Sequence, residues 1–327
     1  MTAIFAKRLQ KGDVIRVIAP SRSLSIIGEE TRAIATERLQ QLGLSVSFSE
    51  HAEEIDDFVS SSIESRVEDI HTAFKDPQVK AILTAIGGFN SNQLLSKLDW
   101  DLIRNNPKIF CGFSDITALS NALYAKTGLV TYSGPHYSSF GMKKGFDYSL
   151  ESFVAAVMGS DEMTITPSSE WSDDLWFLDQ EKRTLIPNKG WLPVQSGVAE
   201  GTIIGGNLCT LILLSNTEYM PQADNIILFI EDDEELQIQH FDRNLTALSQ
   251  QPWFANVKGI VMGRFQQVSE VSDELILQMI VRNDALRSMP VIANVDFGHT
   301  MPLITFPIGG HARIVGGSDP SIIITKH

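Results

Sequence analysis

In the first half of the chain, short apolar runs alternate with stretches in which apolar residues recur at helical spacing. The run Val14 to Ala19 predicts a buried strand that ends before Pro20. Positions 63, 67, 70 and 74 are apolar and fall on one face of a helix. By the same criteria we expect strands at 44–48, 79–86 and 108–113, and helices at 29–42, 90–98 and 115–126. This alternation predicts a parallel sheet with helices on both faces, an α/β fold.

The second half returns to the same kind of alternation after an irregular stretch. We expect strands at 225–230, 259–262 and 290–295, helices at 241–248 and 273–281, and an apolar helix opened by the glycine pair at 205–206. A length of 327 residues suggests two domains with sizeable cores. We therefore expect an N-terminal domain over 1–165, a loop or linker over 166–198, and a C-terminal domain over 199–327.

The irregular middle stretch is rich in tryptophan, aspartate, serine and proline, and it contains Trp171, Trp176 and Trp191. A loop of this length inside a compact protein is usually functional or disordered, and disordered segments are poor in aromatic residues. A substrate-facing lid is one interpretation. A linker between domains, held in a groove by its aromatic side chains, fits the same pattern.

The charge balance excludes several classes of partner. The chain has 40 acidic and 26 basic residues, a formal net charge of −14, so it offers no general basic face to nucleic acid polymers or to an anionic membrane surface. Two cysteines, Cys111 and Cys209, are too few for a disulfide framework. The N-terminus lacks the apolar run of a signal peptide. We expect a soluble, cytoplasmic protein.

Four short segments follow the ends of predicted strands, where parallel α/β sheets bind their ligands. Their residues are Gly87-Gly88, Ser114, Glu231 and His299. Gly87-Gly88 fits an oxyanion donor or a phosphate cradle, although a glycine pair is far weaker than a nucleotide-binding motif and a plain turn fits equally. No cofactor signature is evident, and we expect no cofactor.

Ser114 stands between a strand and a helix, two residues after Gly112. This is the layout of a nucleophile elbow, in which a tight turn projects the hydroxyl and places the next N–H, that of Asp115, where it can stabilise an oxyanion. Ile116 replaces the second glycine of the usual motif. A simple helix N-cap is the competing interpretation, since serine caps helices well.

A serine nucleophile needs a base and an acid that orients the base. His136, His299 and His311 follow strand ends or glycines, and His299 follows the best-defined strand. Glu231 is the first polar residue after an apolar strand and opens an acidic run over 231–235. That run also fits a solvated surface, or a metal site completed by a histidine, but it lacks the spacing of a known metal motif. We expect no metal.

Ordered motifs over nearly the whole chain resemble the LD-carboxypeptidase family of serine peptidases. The motifs are GDVIRVIAPS, AIGGFNSNQLL, CGFSDITAL, YSGPH, GGNL, LFIEDDEE, GIVMGRF and NVDFGHTMPLITFPIGGHA. The resemblance implies a catalytic triad of Ser114, Glu231 and His299, with an oxyanion hole from the N–H groups of Gly88 and Asp115. It also implies a flavodoxin-like N-terminal domain, a swivelling C-terminal β/α domain and a homodimer.

Two branches of this family imply different substrates. One cleaves the bond between an L- and a D-amino acid in murein tetrapeptides. The other, similar to microcin C immunity proteins, cuts the amide between an aminoacyl group and a modified nucleotide, with a loop tryptophan stacked on the base. The tryptophan-rich segment resembles the loop of the immunity branch, which makes Trp171 or Trp176 the expected stacking residue. We also expect Gly87 and Asn207 at the substrate site. A non-catalytic, two-lobed binding protein is the alternative from another class.

Overall fold

Two β-sheets organise the chain, and a computed structural model describes residues 2–160, 162–234 and 237–327. The first sheet contains β1 (Val14–Ile18), β2 (Ser45–Phe48), β3 (Val79–Thr84), β4 (Ile109–Cys111) and β5 (Thr131–Ser133). Their spatial order is β2-β1-β3-β4-β5, and the neighbouring strands pair in parallel. This is the flavodoxin-like order, with the topological switch between β1 and β3. The predicted α/β fold is confirmed.

Helices cover this sheet, as the sequence pattern predicts. Their bounds are α1 (Glu29–Gln41), α2 (Ile63–Lys75), α3 (Trp100–Asn105), α4 (Thr117–Thr127) and α5 (Asp147–Val157). The helix expected at 90–98 forms as the tighter 3₁₀ type over Ser91–Lys97. Gly128 ends α4 in the left-handed conformation, with φ of 81°, which a glycine adopts without steric cost.

The second sheet has eight strands. Three of them, β11 (Ile226–Glu231), β12 (Val257–Gly263) and β13 (Val291–Val295), form a parallel set that β10 (Gly197–Asn207) extends on one side. Antiparallel strands complete the sheet: β6 (Met163–Ile165), β9 (Leu192–Gln195), β15 (His311–Gly316) and β16 (Ser321–Lys326). Its helices are α6 (Leu208–Leu211), α7 (Ile238–Ser249) and α8 (Asp273–Arg282). A small pair, β7 (Glu170–Trp171) and β8 (Ile186–Pro187), lies apart.

Two short strands cross the segment boundaries expected from the sequence. The strand β14 (Phe306–Ile308), late in the chain, pairs with β5 and so belongs to the first sheet. The strand β6, which precedes the tryptophan-rich stretch, pairs with β16 in the second sheet. Each sheet therefore contains a strand from the other part of the chain, and this exchange fixes the two sheets against each other.

Helix α4 lies against the end of β10, where the two sheets meet. The Asn121 amide donates to the carbonyl of Gly205 over 2.8 Å. Gly205 and Gly206 have φ of 136° and 123°, and a Cβ on Gly206 would collide with the hydroxyl of Thr117 in α4. Only glycine allows this close approach, which brings the carboxyl ends of β4, β11 and β13 to one place. Within the described ranges, no helix combines the length and apolarity needed to cross a membrane.

Candidate active site

Ser114 occupies a strained turn between β4 and α4. Its φ is +59°, a left-handed conformation that costs free energy for a residue with a side chain. A short 3₁₀ turn over Ser114–Ile116 leads directly into α4, and no side chain caps either helical start. The hydroxyl therefore does not serve as a helix cap. It projects from the turn, as a nucleophile elbow requires.

The side chains of Ser114, His299 and Glu231 form one continuous chain of hydrogen bonds. Ser114 Oγ lies 3.1 Å from His299 Nε2, and His299 Nδ1 lies 2.8 Å from Glu231 Oε2. Because an ionised carboxylate only accepts hydrogen bonds, Nδ1 must be the protonated nitrogen of the neutral ring. Nε2 then holds the lone pair that can accept the serine proton.

Glycines make room for the carboxylate of Glu231, whose side chain is only 3% exposed. A Cβ on Gly298, which has φ of +105°, would lie 2.6 Å from Glu231 Oε2, and one on Gly263 would lie 2.7 Å from Glu231 Cβ. The residue that precedes His299 must therefore be glycine for steric and conformational reasons alike.

Two opposing effects act on the imidazole of His299. Burial disfavours its charged form, but the charge and hydrogen bond of Glu231 and the charges of Asp233 and Asp232 together outweigh burial, so the pKa of His299 rises from 6.5 to about 9. Burial and the charges of Glu231 and Asp233 raise the pKa of Asp232 to about 7. This end of the sheet therefore stabilises an imidazolium, the form that the base takes after it accepts a proton.

The carboxylate of Asp115 ties together the two loops that hold the expected oxyanion donors. Asp115 Oδ2 accepts from Ser21 Oγ over 2.6 Å and from the N–H of Ser91 over 2.9 Å. Ser91 Oγ donates in return to the carbonyl of Asp115 over 2.7 Å. A Cβ on Gly88 would collide with Ser21 Oγ and crowd Arg22, so glycine is required there. These contacts fix the Gly88 and Asp115 backbone segments relative to each other.

A cavity of about 320 Å³ lies at Ser114. Its lining includes residues 173–177 of the tryptophan-rich stretch, the segment with Gly88 and Phe89, and the side chains of Arg22, His136 and His299. Trp176 is among these lining residues. A Cβ on Gly87 would lie 3.1 Å from Ser114 Oγ, so this glycine borders the serine hydroxyl directly.

Trp171 and Asn207 are not among the residues that line the cavity. The ring of Trp171 packs against the Arg264 guanidinium, 4.9 Å from the ring centroid. Asn207 is 2% exposed; its carbonyl oxygen caps α6, and its amide nitrogen donates to Asp232 Oδ1 over 3.2 Å. Of the expected substrate contacts, the structure therefore places Gly87 beside Ser114 and Trp176 in the lining of its cavity, and it gives Trp171 and Asn207 other partners.

The tryptophan-rich stretch is fastened to the segment that carries the catalytic histidine candidate. Ser172 and Met301 exchange both backbone hydrogen bonds, at 2.6 and 2.7 Å. The buried carboxylate of Asp296 accepts from the N–H and Oγ of Ser168 and from the amide of Asn188. The stretch is thus a wall of the cavity, joined to the site at both of its ends.

His136 and His311, the other histidine candidates, have different surroundings. Burial lowers the pKa of His136 to about 3, with the positive charges of His299 and Arg22 adding to the effect, so its ring is neutral. Its Nδ1 lies 2.8 Å from Thr84 Oγ1. His311 lies on β15, with Nδ1 3.0 Å from Thr325 Oγ1. Among the described residues, no group of three or more potential ligands is placed to hold a metal ion; position 235 of the acidic run lies outside them.

The roles of Ser21 and Ser91 were not predicted from the sequence; their hydroxyls hydrogen-bond to Asp115 and support the loops around Ser114. The signal for Ser21 was available, because it follows the carboxyl end of β1 just as Gly87 follows β3. Ser91 gave no such signal, since its role depends on a contact with Asp115, 24 positions later in the chain.

Comparison with known proteins places both halves of the chain in one family. Residues 15–134 match the LD-carboxypeptidase N-terminal domain, and residues 200–314 match the LD-carboxypeptidase C-terminal domain. The Bacillus subtilis protein named "Putative carboxypeptidase YocD" is 55% identical over 325 residues, which cover 99% of this chain and all of that protein.

Relatives of known structure agree with this assignment. The crystal structure of an MccF-like protein from Bacillus anthracis superposes with a TM-score of 0.98 at 53% identity and covers 99% of this chain and 100% of that one. The Escherichia coli microcin C7 self-immunity protein MccF is 32% identical over 94% of this chain and 91% of its own; its structure with glutamyl sulfamoyl guanosine gives a TM-score of 0.88 at 31% identity over 98% of both chains. The chain belongs to the LD-carboxypeptidase family.

Proposed function

We propose that this protein is a serine-type amide hydrolase that cleaves the bond between an aminoacyl or peptidyl group and a modified nucleotide. The observation that carries the proposal is the hydrogen-bond chain from Ser114 through His299 to Glu231, with distances of 3.1 and 2.8 Å. A strained serine, a base with its lone pair turned to that serine, and a buried carboxylate behind the base are the parts that acyl transfer needs.

The proposed mechanism begins when His299 Nε2 accepts the proton of Ser114 as Oγ attacks the scissile carbonyl. Glu231 holds the ring in the required tautomer and stabilises the imidazolium. The N–H groups of Gly88 and Asp115 stabilise the negative charge on the carbonyl oxygen. The C–N bond then breaks as His299 returns the proton to the leaving nitrogen, and water releases the acyl group from Ser114 by the reverse sequence.

The nucleotide part of the proposal is supported by the cavity wall and by a relative. MccF has been solved with glutamyl sulfamoyl guanosine and with aspartyl sulfamoyl adenosine, and the exposed wall of this protein's cavity carries the indole of Trp176. Stacking of a nucleobase on an aromatic side chain contributes roughly 1–3 kcal/mol. A stacked base also needs no basic surface, which agrees with the net charge of −14.

Cleavage of the L,D bond in murein tetrapeptide is the second candidate. It is favoured by the murein tetrapeptide carboxypeptidase of Pseudomonas aeruginosa, which is 24% identical over 92% of this chain. The same three residues would perform that reaction, so the two candidates differ in the acyl group and the leaving group and not in the catalytic residues. A homodimer and a cytoplasmic location remain predictions that accompany either candidate.

A paired assay tests the proposal. The protein is incubated in parallel with aspartyl sulfamoyl adenosine and with murein L,D-tetrapeptide, and release of the free amino acid is measured. We expect hydrolysis of the nucleoside substrate. Cleavage of the tetrapeptide alone would contradict the nucleotide proposal, and tight binding of either compound with no turnover would indicate the non-catalytic binding protein instead.

A further inference from the structure

A second cavity adjoins the one over the nucleophile. It has a volume of about 410 Å³, within the range of small-molecule sites, and the proposed mechanism does not use it. Arg22 and Phe89 line both cavities, so these side chains form the boundary between the two. Arg22 Nε donates to the carbonyl of Gly87 over 3.2 Å, which fixes the boundary between the cavities close to the expected oxyanion hole.

Exposed aromatic rings form walls of this second cavity. Phe58 is 81% exposed and Phe89 is 69% exposed, and Ile63 adds further apolar surface. Large apolar side chains that stay in water and border a concave surface are typical of binding sites. An apolar group that entered the cavity would remove these rings from water.

The hydroxyl of Ser61 provides a second, independent indication of a ligand. Ser61 lines the cavity and is only 6% exposed. Within the described part of the chain, its Oγ has no hydrogen-bond partner. A buried hydroxyl without a partner is unfavourable, and rotation of this side chain towards the cavity would let a polar group of a bound molecule satisfy it.

A strained turn presents Phe58 to the cavity. Asp56 Oδ1 accepts the N–H groups of Phe58 and Ser60 at 2.9 and 3.0 Å. Val59, at the apex, has φ of +60°, a conformation that is rare for a β-branched residue. The carbonyl of Val59 accepts from the N–H of Ser23 over 2.9 Å, which anchors the turn beside the loop after β1. Such strain persists where the surroundings impose it, often at functional sites.

The charged floor of the cavity is already engaged. The Arg66 guanidinium donates to the carbonyl of Pro20, to the carbonyl and side chain of Asn90, and to the side chain of Gln93. Its hydrogen bonds hold the protein's own loops together and do not form an anion site. The chemistry of the walls therefore suits a neutral, apolar group accompanied by a polar group, which is the composition of a peptide unit with an apolar side chain.

We propose that this cavity is a subsite for the acyl part of the substrate, and that it takes an apolar, preferably aromatic, side chain on the residue before the acyl residue at the scissile bond. The proposal rests on the proposed function, in which the leaving group lies against Trp176. Residues 173–177 and the Arg22–Phe89 boundary both flank the nucleophile, so the cavity beyond that boundary is left for the acyl side. The protein would then prefer peptidyl over single aminoacyl substrates.

Binding and kinetics together test the subsite. The Ser114→Ala variant is titrated calorimetrically with two dipeptidyl sulfamoyl adenosines that carry either Phe or Gly before the scissile residue. We expect the Phe compound to bind roughly 10-fold or more tightly, as burial of a phenyl group predicts, and the wild-type kcat/KM to show the same preference. Adding Phe58→Ala should reduce the ratio to about two or less. Val281→Ala, which truncates an exposed apolar residue on α8, is the matched control and should preserve the ratio.

Two further readouts keep the subsite separate from the proposed function. Single aminoacyl sulfamoyl adenosine should be hydrolysed by Phe58→Ala at the wild-type rate, because Phe58 lies outside the cavity over the nucleophile. Ser61→Ala should lower affinity for both dipeptidyl compounds several-fold without lowering Tm. Equal binding of the Phe and Gly compounds, or a ratio unchanged by Phe58→Ala, would overturn the subsite. Binding with the expected ratio but without turnover by the wild type would instead contradict the proposed function.

Discussion

Replacement of Glu231 by glutamine should change both the rate and the pH dependence of hydrolysis. In the native protein burial lowers the pKa of His299, but Glu231, together with Asp232 and Asp233, more than offsets it, so the net pKa rises from 6.5 to about 9. That difference corresponds to roughly 3 kcal/mol of preference for the imidazolium. The same preference stabilises the transition state, in which His299 carries the proton. Loss of the charge alone should therefore lower kcat by about 10²-fold, and loss of the correct tautomer by up to about 10⁴-fold.

The pH profile supplies the more specific readout. The base works only when it is neutral, so wild-type kcat/KM should rise with pH through an acid limb whose midpoint lies above 6.5. With Glu231→Gln, only the charges of Asp232 and Asp233 still oppose the effect of burial on the ring, so the midpoint should fall towards lower pH. The exposed Glu200 on β10 offers a matched control, and Glu200→Gln should leave rate and midpoint unchanged. A Glu231→Gln variant that loses less than tenfold in kcat and keeps the acid limb at the wild-type pH would show that Glu231 does not control the pKa of His299.

Three further predictions concern the surroundings of the nucleophile. Ser21→Ala removes the 2.6 Å hydrogen bond to Asp115 and should lower kcat by about tenfold, a fraction of the loss for a whole oxyanion donor, while KM stays constant; an equal change in both parameters would contradict this role. Trp176→Ala should raise KM for a nucleoside substrate by about 10- to 100-fold, whereas Trp171→Ala, which loses contact with Arg264, should affect Tm and leave KM near the wild-type value. Exhaustive chelation should leave hydrolysis intact, and loss of activity restored by a divalent metal would favour a metallohydrolase.

The sequence pattern was sufficient to predict β1 to β4 of the first sheet and the strand ends at which polar residues meet. Ser114 follows an apolar strand, Glu231 ends one, and His299 follows β13, which is apolar except for Asn294. A rule about the carboxyl ends of strands therefore selects the segments that contain all three without knowledge of their distances. The resemblance to a family then assigned their roles. Local pattern was informative here because a buried parallel strand is apolar throughout and the first polar residue after it stands out.

Other features depend on contacts that no local pattern encodes. The pairing of β14 with β5 joins positions more than 170 residues apart, and both strands are only three residues long. The side chain of Asn207 was expected at the substrate but caps α6, since Gly206 turns the chain against α4. Trp171 and Trp176 are equivalent in the sequence pattern. The structure distinguishes them, because Trp176 lines the cavity over Ser114 whereas Trp171 packs on Arg264.

Comparison of two serine variants tests whether Ser114 is the nucleophile. Ser120 lies on α4, the helix that follows Ser114, and is buried. Its Oγ has no hydrogen-bond partner in the described structure, so Ser120→Ala removes a nearby hydroxyl and should have little effect on activity. Measurement of kcat/KM with aminoacyl sulfamoyl adenosine should show a loss of at least about 10⁴-fold for Ser114→Ala and a near-native value for Ser120→Ala. A Ser114→Ala variant that keeps kcat/KM within tenfold of the wild type would contradict the assignment of Ser114 as the nucleophile.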